Sequence, residues 1–212
     1  MKAAVDPRAN QKERTRGAIV EAAIALLRSG AEVSVAAAAA EAKVSRATAY
    51  RYFPTPESLQ IEAAGVTPDY AAIDEVLDAV AEEDAETRML KLADAVNAKI
   101  FADEARMRLA LKVYLDTWFA NRGEAEPQVR EGRRTRWIAR ALAPARTGRP
   151  SARQRRLEAA LALTVGAEAM VVMKDVCRLD DKEAQATLRW AVQALLRAGL
   201  ADLDEAKATK RR

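Results

Sequence analysis

Histidine is absent from the 212 residues, cysteine occurs once, and aromatic side chains make up only 5%. The first absence removes the usual general base near neutral pH and the commonest transition-metal ligand. No Gly-rich phosphate loop, metal-ligand spacing or nucleophile elbow takes its place, so enzyme chemistry is disfavoured and no cofactor or metal is expected. The single cysteine, Cys177, makes no internal disulfide, which agrees with a reducing compartment. Its surroundings, "MVVMKDVCRL", favour a small buried side chain on an apolar helix face over a redox sensor. No apolar run approaches the roughly 18 residues that cross a bilayer, and "MKAAVDPRANQKERTR" lacks an apolar signal core. A cytoplasmic protein with no membrane partner is expected.

Glycine and proline are also sparse, at 8 and 7, and neither period-2 alternation nor β-branched runs occur. What is present is helical: abundant alanine, 50% hydrophobic residues to build a core, and 31% charged residues to keep it in solution. An all-α chain of about nine helices is expected. Ile19, Val20, Ala23, Leu26 and Leu27 form a helical stripe that Gly30 ends after Ser29. Ser34 caps a short helix to Ala42, Lys43-Val44 makes a tight turn, and Ser45 caps a third helix ending near Tyr52. Thr55 at an N-cap with Pro56 at the first helical position opens a fourth, to about Val66.

"TPD" at Thr67–Asp69 repeats that device before a weaker segment, 68–83. Apolar stripes then run through 85–101 and 104–121, "NRGEAEP" is a loop, and 128–143 is a further helix. "APARTGRP" reads as a linker. Ser151 with Gln154 fits a capping box and introduces one long helix through Leu179. A last helix follows "DDKE" and runs through Ala198, before a frayed tail.

The net charge of +4 is unevenly spread. Residues 1–53 carry 9 basic and 5 acidic side chains, 67–127 carry 7 and 14, and 128–160 carry 10 and 2. The last of these, within 130–156, is read as a solvated face balancing the acidic segment before it, with a second nucleic-acid patch as the alternative. The first contains "VSRATAYRYF", Val44–Phe53, with no acidic side chain. Two short helices joined by a tight turn and braced by a third make a helix-turn-helix. In its second helix Val44, Ala47 and Phe53 can form the apolar back. Ser45, Arg46, Thr48, Tyr50, Arg51 and Tyr52 are left for the outer face. Duplex phosphates repel carboxylates and accept hydroxyls and guanidinium groups. Arg46, near the helix N-terminus, can fork onto guanine O6 and N7.

From Thr15 to Ala63 the chain resembles the DNA-binding domain of the tetracycline-repressor (TetR) family of transcriptional regulators. Gly30, Ser34, Ala39, Ala42, Val44, Ser45, Thr48, Tyr50, Phe53 and Leu59 match its pattern, over about the first third of the chain. The resemblance implies phosphate contacts from Ser34, Thr48, Tyr50 and Tyr52, and base-edge contacts from Ser45, Arg46, Ala47 and Arg51. An arm before the first helix, with Lys12, Arg14 and Arg16, is implied to reach the DNA backbone or minor groove, with a plain disordered tail as the alternative. Two positions depart from the pattern. Lys43 replaces a turn glycine, at a cost of about 1 kcal/mol, though its charge can reach a phosphate. Pro56 replaces a lysine that anchors the fourth helix to the backbone in many members.

The expected division is residues 1–54 as the helix-turn-helix domain with a basic N-terminal arm, and 55–212 as a helical effector-binding and dimerisation domain. "LALTVGAEAMVVMKDV" and "TLRWAVQALLRAGL" read as a pairing surface, with Gly166, Met170, Trp190 and Leu195 among its residues, and the resemblance likewise implies a four-helix homodimer interface. It also implies a small-molecule pocket, for which Met107, Tyr114, Trp118, Phe119, Trp137 and Met173 are candidates, with ordinary core as the alternative for each. The expected function is a ligand-responsive repressor binding double-stranded DNA at a palindromic operator. The alternative is a helical small-molecule-binding protein that has lost DNA binding, which Lys43 and Pro56 would favour.

Overall fold

The computed structural model describes residues 7–65, 71–123, 132–146 and 148–210. Among them the chain forms eleven α-helices, one 3-10 turn and one π-helical turn, with no strand. The all-α expectation holds. The Thr67–Asp69 helix start, most of the expected 121–127 loop and the first turn expected from 128 lie outside the described residues. Two compact units divide the chain, residues 1–68 with 105–127 and residues 69–104 with 128–212.

The first unit contains α1 (Pro7–Arg28), α2 (Val35–Glu41), α3 (Arg46–Tyr52), α4 (Pro56–Gly65) and, from Ala105, α7 (Glu104–Asn121). Its core joins Ile19, Val20, Ala23 and Ile24 of α1 to Val35, Ala38 and Ala39 of α2, Ala49 and Phe53 at α3, Leu59 and Ala63 of α4, and Leu109 of α7. Alanines on the buried faces of α2 and α3 let these short helices approach closely. One expectation is corrected: Lys12, Arg14 and Arg16 do not precede the first helix but lie within α1, which starts at Pro7, where proline's missing N–H removes nothing from the helix.

The second unit contains α5 (Ala71–Ala79), α6 (Ala85–Ala102), α8 (Arg133–Ala141), α9 (Ala152–Ala162), α10 (Ala167–Val171) and α11 (Asp181–Lys210). α6 is its axis, packing on α5, α8, α10 and α11 through Met89, Leu92, Ala93, Val96 and Ile100. Asp84 caps α6, accepting from Thr87 N–H at 2.8 Å. Ser151 caps α9 as expected, but Gln154 turns its amide to Glu158 at 3.2 Å instead of closing the box. One residue of the basic stretch pairs with the acidic segment: Arg140 bridges to Asp74 and Asp78 of α5.

Two helices differ from expectation. The single helix expected from Ser151 to Leu179 is broken between α9 and α10, and a π turn, Val172–Val176, follows α10. Gly166 has φ 131°, a conformation other residues rarely adopt. The backbone groups freed by the break find partners. Buried Asn97 donates to Thr164 C=O at 3.1 Å and accepts from Gly166 N–H at 3.3 Å. Arg134 donates to Ala162 C=O at 2.9 Å and to Glu168 at 2.8 Å, with its guanidinium where a Cβ of residue 166 would stand. The last helix does not end at Ala198. Gly199 lies inside α11 because its missing Cβ makes room for the Leu157 side chain. Cys177, expected to be buried, is exposed at the end of the π turn.

Candidate nucleic-acid interface

The turn that joins α2 to α3 is built by backbone hydrogen bonds. At the end of α1, Gly30 N–H donates to Leu27 C=O at 3.1 Å and Ala31 N–H to Leu26 C=O at 3.0 Å. This is a Schellman closure with Gly30 left-handed at φ 76°. The end of α2 repeats it: Lys43 N–H to Ala40 C=O at 3.1 Å, and Val44 N–H to Ala39 C=O at 3.0 Å. Here the left-handed residue is Lys43, at φ 55°. The substituted turn position therefore keeps the glycine conformation.

Ser34 and Ser45 start the two helices of the motif. Ser34 Oγ accepts from Ala37 N–H and Ser45 Oγ from Thr48 N–H, both at 3.1 Å. The Ser45 and Thr48 hydroxyls also bond each other at 2.8 Å. That bond uses one of their two protons and leaves the other to donate outward. Thr55 and Ser58 cap α4 reciprocally: Ser58 N–H donates to Thr55 Oγ1 at 3.2 Å and Thr55 N–H to Ser58 Oγ at 3.3 Å. Glu57, in that first turn, has its carboxyl held below its ordinary value by its own backbone N–H and then by the Thr55 hydroxyl.

Ser45, Arg46, Ala47, Tyr50 and Arg51 are exposed, and Thr48 and Tyr52 are half-buried. The Tyr50 ring and the Arg46 and Arg51 side chains of α3 are thus exposed, while Tyr52 packs partly against the core, and α3 carries no acidic residue. The back differs from the expected one: Ala47 is exposed and its place is taken by Ala49, which with Phe53 follows the i, i+4 spacing. That exposure puts the Ala47 methyl on the outer face. Lys43 is exposed beside the motif and Ser34 is half-buried. A shallow cleft lined by Gln11, Lys12, Arg51 and Tyr52 separates α1 from the end of α3, with the Arg51 guanidinium 5.6 Å from the Tyr52 ring. Gln11 had no signal in the sequence, because its position depends on α1 reaching back to Pro7.

Of the three basic residues expected in the arm, Lys12 and Arg14 are exposed. Arg16 faces the protein. Its Nε donates to Glu62 at 2.6 Å, its Nη2 donates to the second carboxylate oxygen, and its guanidinium stacks 5.1 Å from the Phe53 ring. The hydrogen bond to Glu62 raises its pKa above the ordinary value.

The residues proposed for a pocket are divided. Met107, Tyr114, Trp118 and Phe119 lie on α7 in the first unit, and Trp137 and Met173 belong to the second. Met107 is buried, while Tyr114, Trp118 and Phe119 keep exposed surface, the last two in edge-to-face contact at 5.1 Å. Trp137 is buried in the core, and its indole N–H donates to Asp74 at 3.1 Å. Met173 is half-buried in the π turn. Two residues expected on the pairing face are corrected: Gly166 and Met170 are buried within the second unit, because the helix break turns them into its core. Trp190 is exposed and Leu195 half-buried.

No family model matches the chain, and neither does any curated protein. Among solved structures it is similar to a TetR transcriptional regulator from Rhodococcus sp. RHA1. The likeness covers 87% of this chain and 97% of that one, with a TM-score of 0.51 and 21% sequence identity. Among the described residues no helix is long and apolar enough to cross a membrane. By that likeness this chain has the fold of a TetR transcriptional regulator.

Proposed function

We propose that this protein is a DNA-binding transcriptional regulator, a ligand-responsive repressor that binds a palindromic operator as a homodimer. The observation that carries the reading is the acid-free outer face of α3, offering Ser45, Arg46, Ala47, Thr48, Tyr50 and Arg51 from a capped helix, with Tyr52 half-buried at its edge. Such a face suits a major groove: Arg46 at the leading end for a base edge, hydroxyls for phosphates. Ser34, Lys43 and Arg14 add backbone contacts. Functionally, residues 1–54 read DNA, while 55–212 pair the subunits and take a small-molecule effector.

One reading head contacts too few base pairs for useful specificity, so two half-sites about one helical turn apart are required. Pairing is supported by large apolar side chains left open on the second unit, Trp190 at 68% and Leu163 at 78% exposure. The effector site is assigned to the α7 aromatics Tyr114, Trp118 and Phe119, where apolar surface is open to a ligand. The test is selection from a randomised duplex pool, with mass measured by sedimentation. Recovery of an inverted repeat by a two-subunit species is expected; a monomer that enriches no sequence would overturn the reading.

A further inference from the structure

Within α3 only Ala49 is buried, and Phe53 at its C-cap is the largest fully buried anchor, with Val44 and Tyr52 packed partly against the same core. A seven-residue helix with one fully buried residue of its own takes the angle at which it is presented from its neighbours. Arg16 is placed to set that angle. Its guanidinium lies over the Phe53 ring at 5.1 Å, and one edge of its hydrogen-bond donors, Nε and Nη2, is committed to the two oxygens of Glu62 on α4. α1, the end of α3 and α4 therefore meet at one bidentate, stacked ion pair, the geometry for which lysine is a poor substitute.

We infer that Arg16 is a positioning residue for the recognition helix, linking Phe53 at the end of α3 to Glu62 of α4, and not a contact to the DNA backbone. The inference rests on the regulator reading above. A guanidinium neutralised at two points by a carboxylate offers little to a phosphate, whereas the same pair fixes the register of Arg46 and Arg51 relative to α4. Displacement of α4 then reaches α3 through Glu62 and Phe53.

The two roles predict opposite signs for one substitution. If Arg16 contacts phosphate, Glu62→Gln removes a competing acid, tightens binding to every duplex and steepens the salt dependence. If Arg16 positions α3, Glu62→Gln weakens binding to the selected inverted repeat by about tenfold, the scale of one lost base contact, and barely changes binding to random duplex. Arg16→Lys is the companion variant. Positioning predicts the same loss with an unchanged salt slope; a phosphate contact predicts near wild-type affinity. An Arg16→Glu/Glu62→Arg exchange should recover part of the loss on the selected repeat. Measured as dissociation constants at three salt concentrations, with helicity and melting temperature recorded for each variant, these results separate presentation of α3 from mere loss of stability. Tighter binding by Glu62→Gln, or full affinity in Arg16→Lys, overturns the positioning role alone. A wild-type protein that enriches no sequence overturns the regulator reading and the positioning role with it.

Discussion

Lys43 holds a left-handed backbone at φ 55° with the same pair of closing bonds that Gly30 makes at the end of α1. For a residue with a Cβ that conformation costs about 1 kcal/mol. Lys43→Gly is therefore expected to stabilise the protein by up to about 1 kcal/mol, less the entropy that glycine adds to the unfolded chain. Chemical denaturation reads this, and the same variant should lose a little affinity for all DNA. Arg46 and Tyr50 are distinguishable in the same way. Arg46→Ala is expected to cost about 1–3 kcal/mol and relax preference at one position per half-site. Tyr50→Phe should weaken matched and mismatched duplexes alike. Equal losses on every sequence for both variants would reject this assignment.

The helices are defined by their ends. Ser34, Ser45, Asp84 and Ser151 each accept the backbone N–H of the residue three positions on, in the helix they start, and such a cap is worth about 1 kcal/mol. Ser45→Ala is expected to cost about that much in unfolding free energy and to free the Thr48 hydroxyl from its partner. The break between α9 and α10 depends on Asn97. Asn97→Ala leaves a buried N–H and a buried C=O unpartnered, an expected loss of about 2 kcal/mol or more seen by denaturation.

The turn after the break is tied by Lys174, which reaches Asp181 at 2.5 Å and Glu104 at 2.6 Å. These bonds, with Asp181 the stronger cause, raise its pKa above the ordinary 10.5. A raised basic pKa stabilises fully below the unfolded value and loses that contribution as pH climbs through the folded value. Melting temperature should therefore fall above about pH 10.5 more steeply in wild type than in Lys174→Met. Asp84 works in the opposite sense. Thr87 N–H holds its carboxyl below the usual range, so its contribution is present above the ordinary carboxylate value and fades as pH falls through the lowered one.

For the whole molecule, the regulator reading demands reciprocity. Any effector that weakens operator binding must itself bind more weakly, by the same factor, to the DNA-bound dimer. Titration of an effector into free and operator-bound protein checks that equality. Trp190→Lys is expected to halve the sedimenting mass and to cost far more affinity on a two-half-site duplex than on a single half-site, since pairing links the two heads.

The sequence was most legible where structure is local. Caps at Ser34, Ser45, Thr55 and Ser151, the turn at Lys43, and the outward Arg46, Tyr50 and Arg51 follow from side chains that bond their own backbone a few residues away. Periodicity placed α6 and α7 within a residue. Local signals could not show which alanine of α3 faces inward, because Ala47 and Ala49 are chemically identical and only packing on α1 and α2 separates them. They also missed the break at Gly166, where helix propensity runs one way and Asn97, 69 residues distant, holds the chain another. The same holds for Gly199, which reads as a stop until Leu157 fills its missing side chain. Arg16 is the clearest instance. Its charge was visible in the chain, but its engagement by Glu62, 46 residues away, was decided when α1 met α4. Short-range hydrogen bonds and helical phase belong to the sequence by itself, while the choice among equivalent residues, and the pairing of distant charges, arises only in the folded chain.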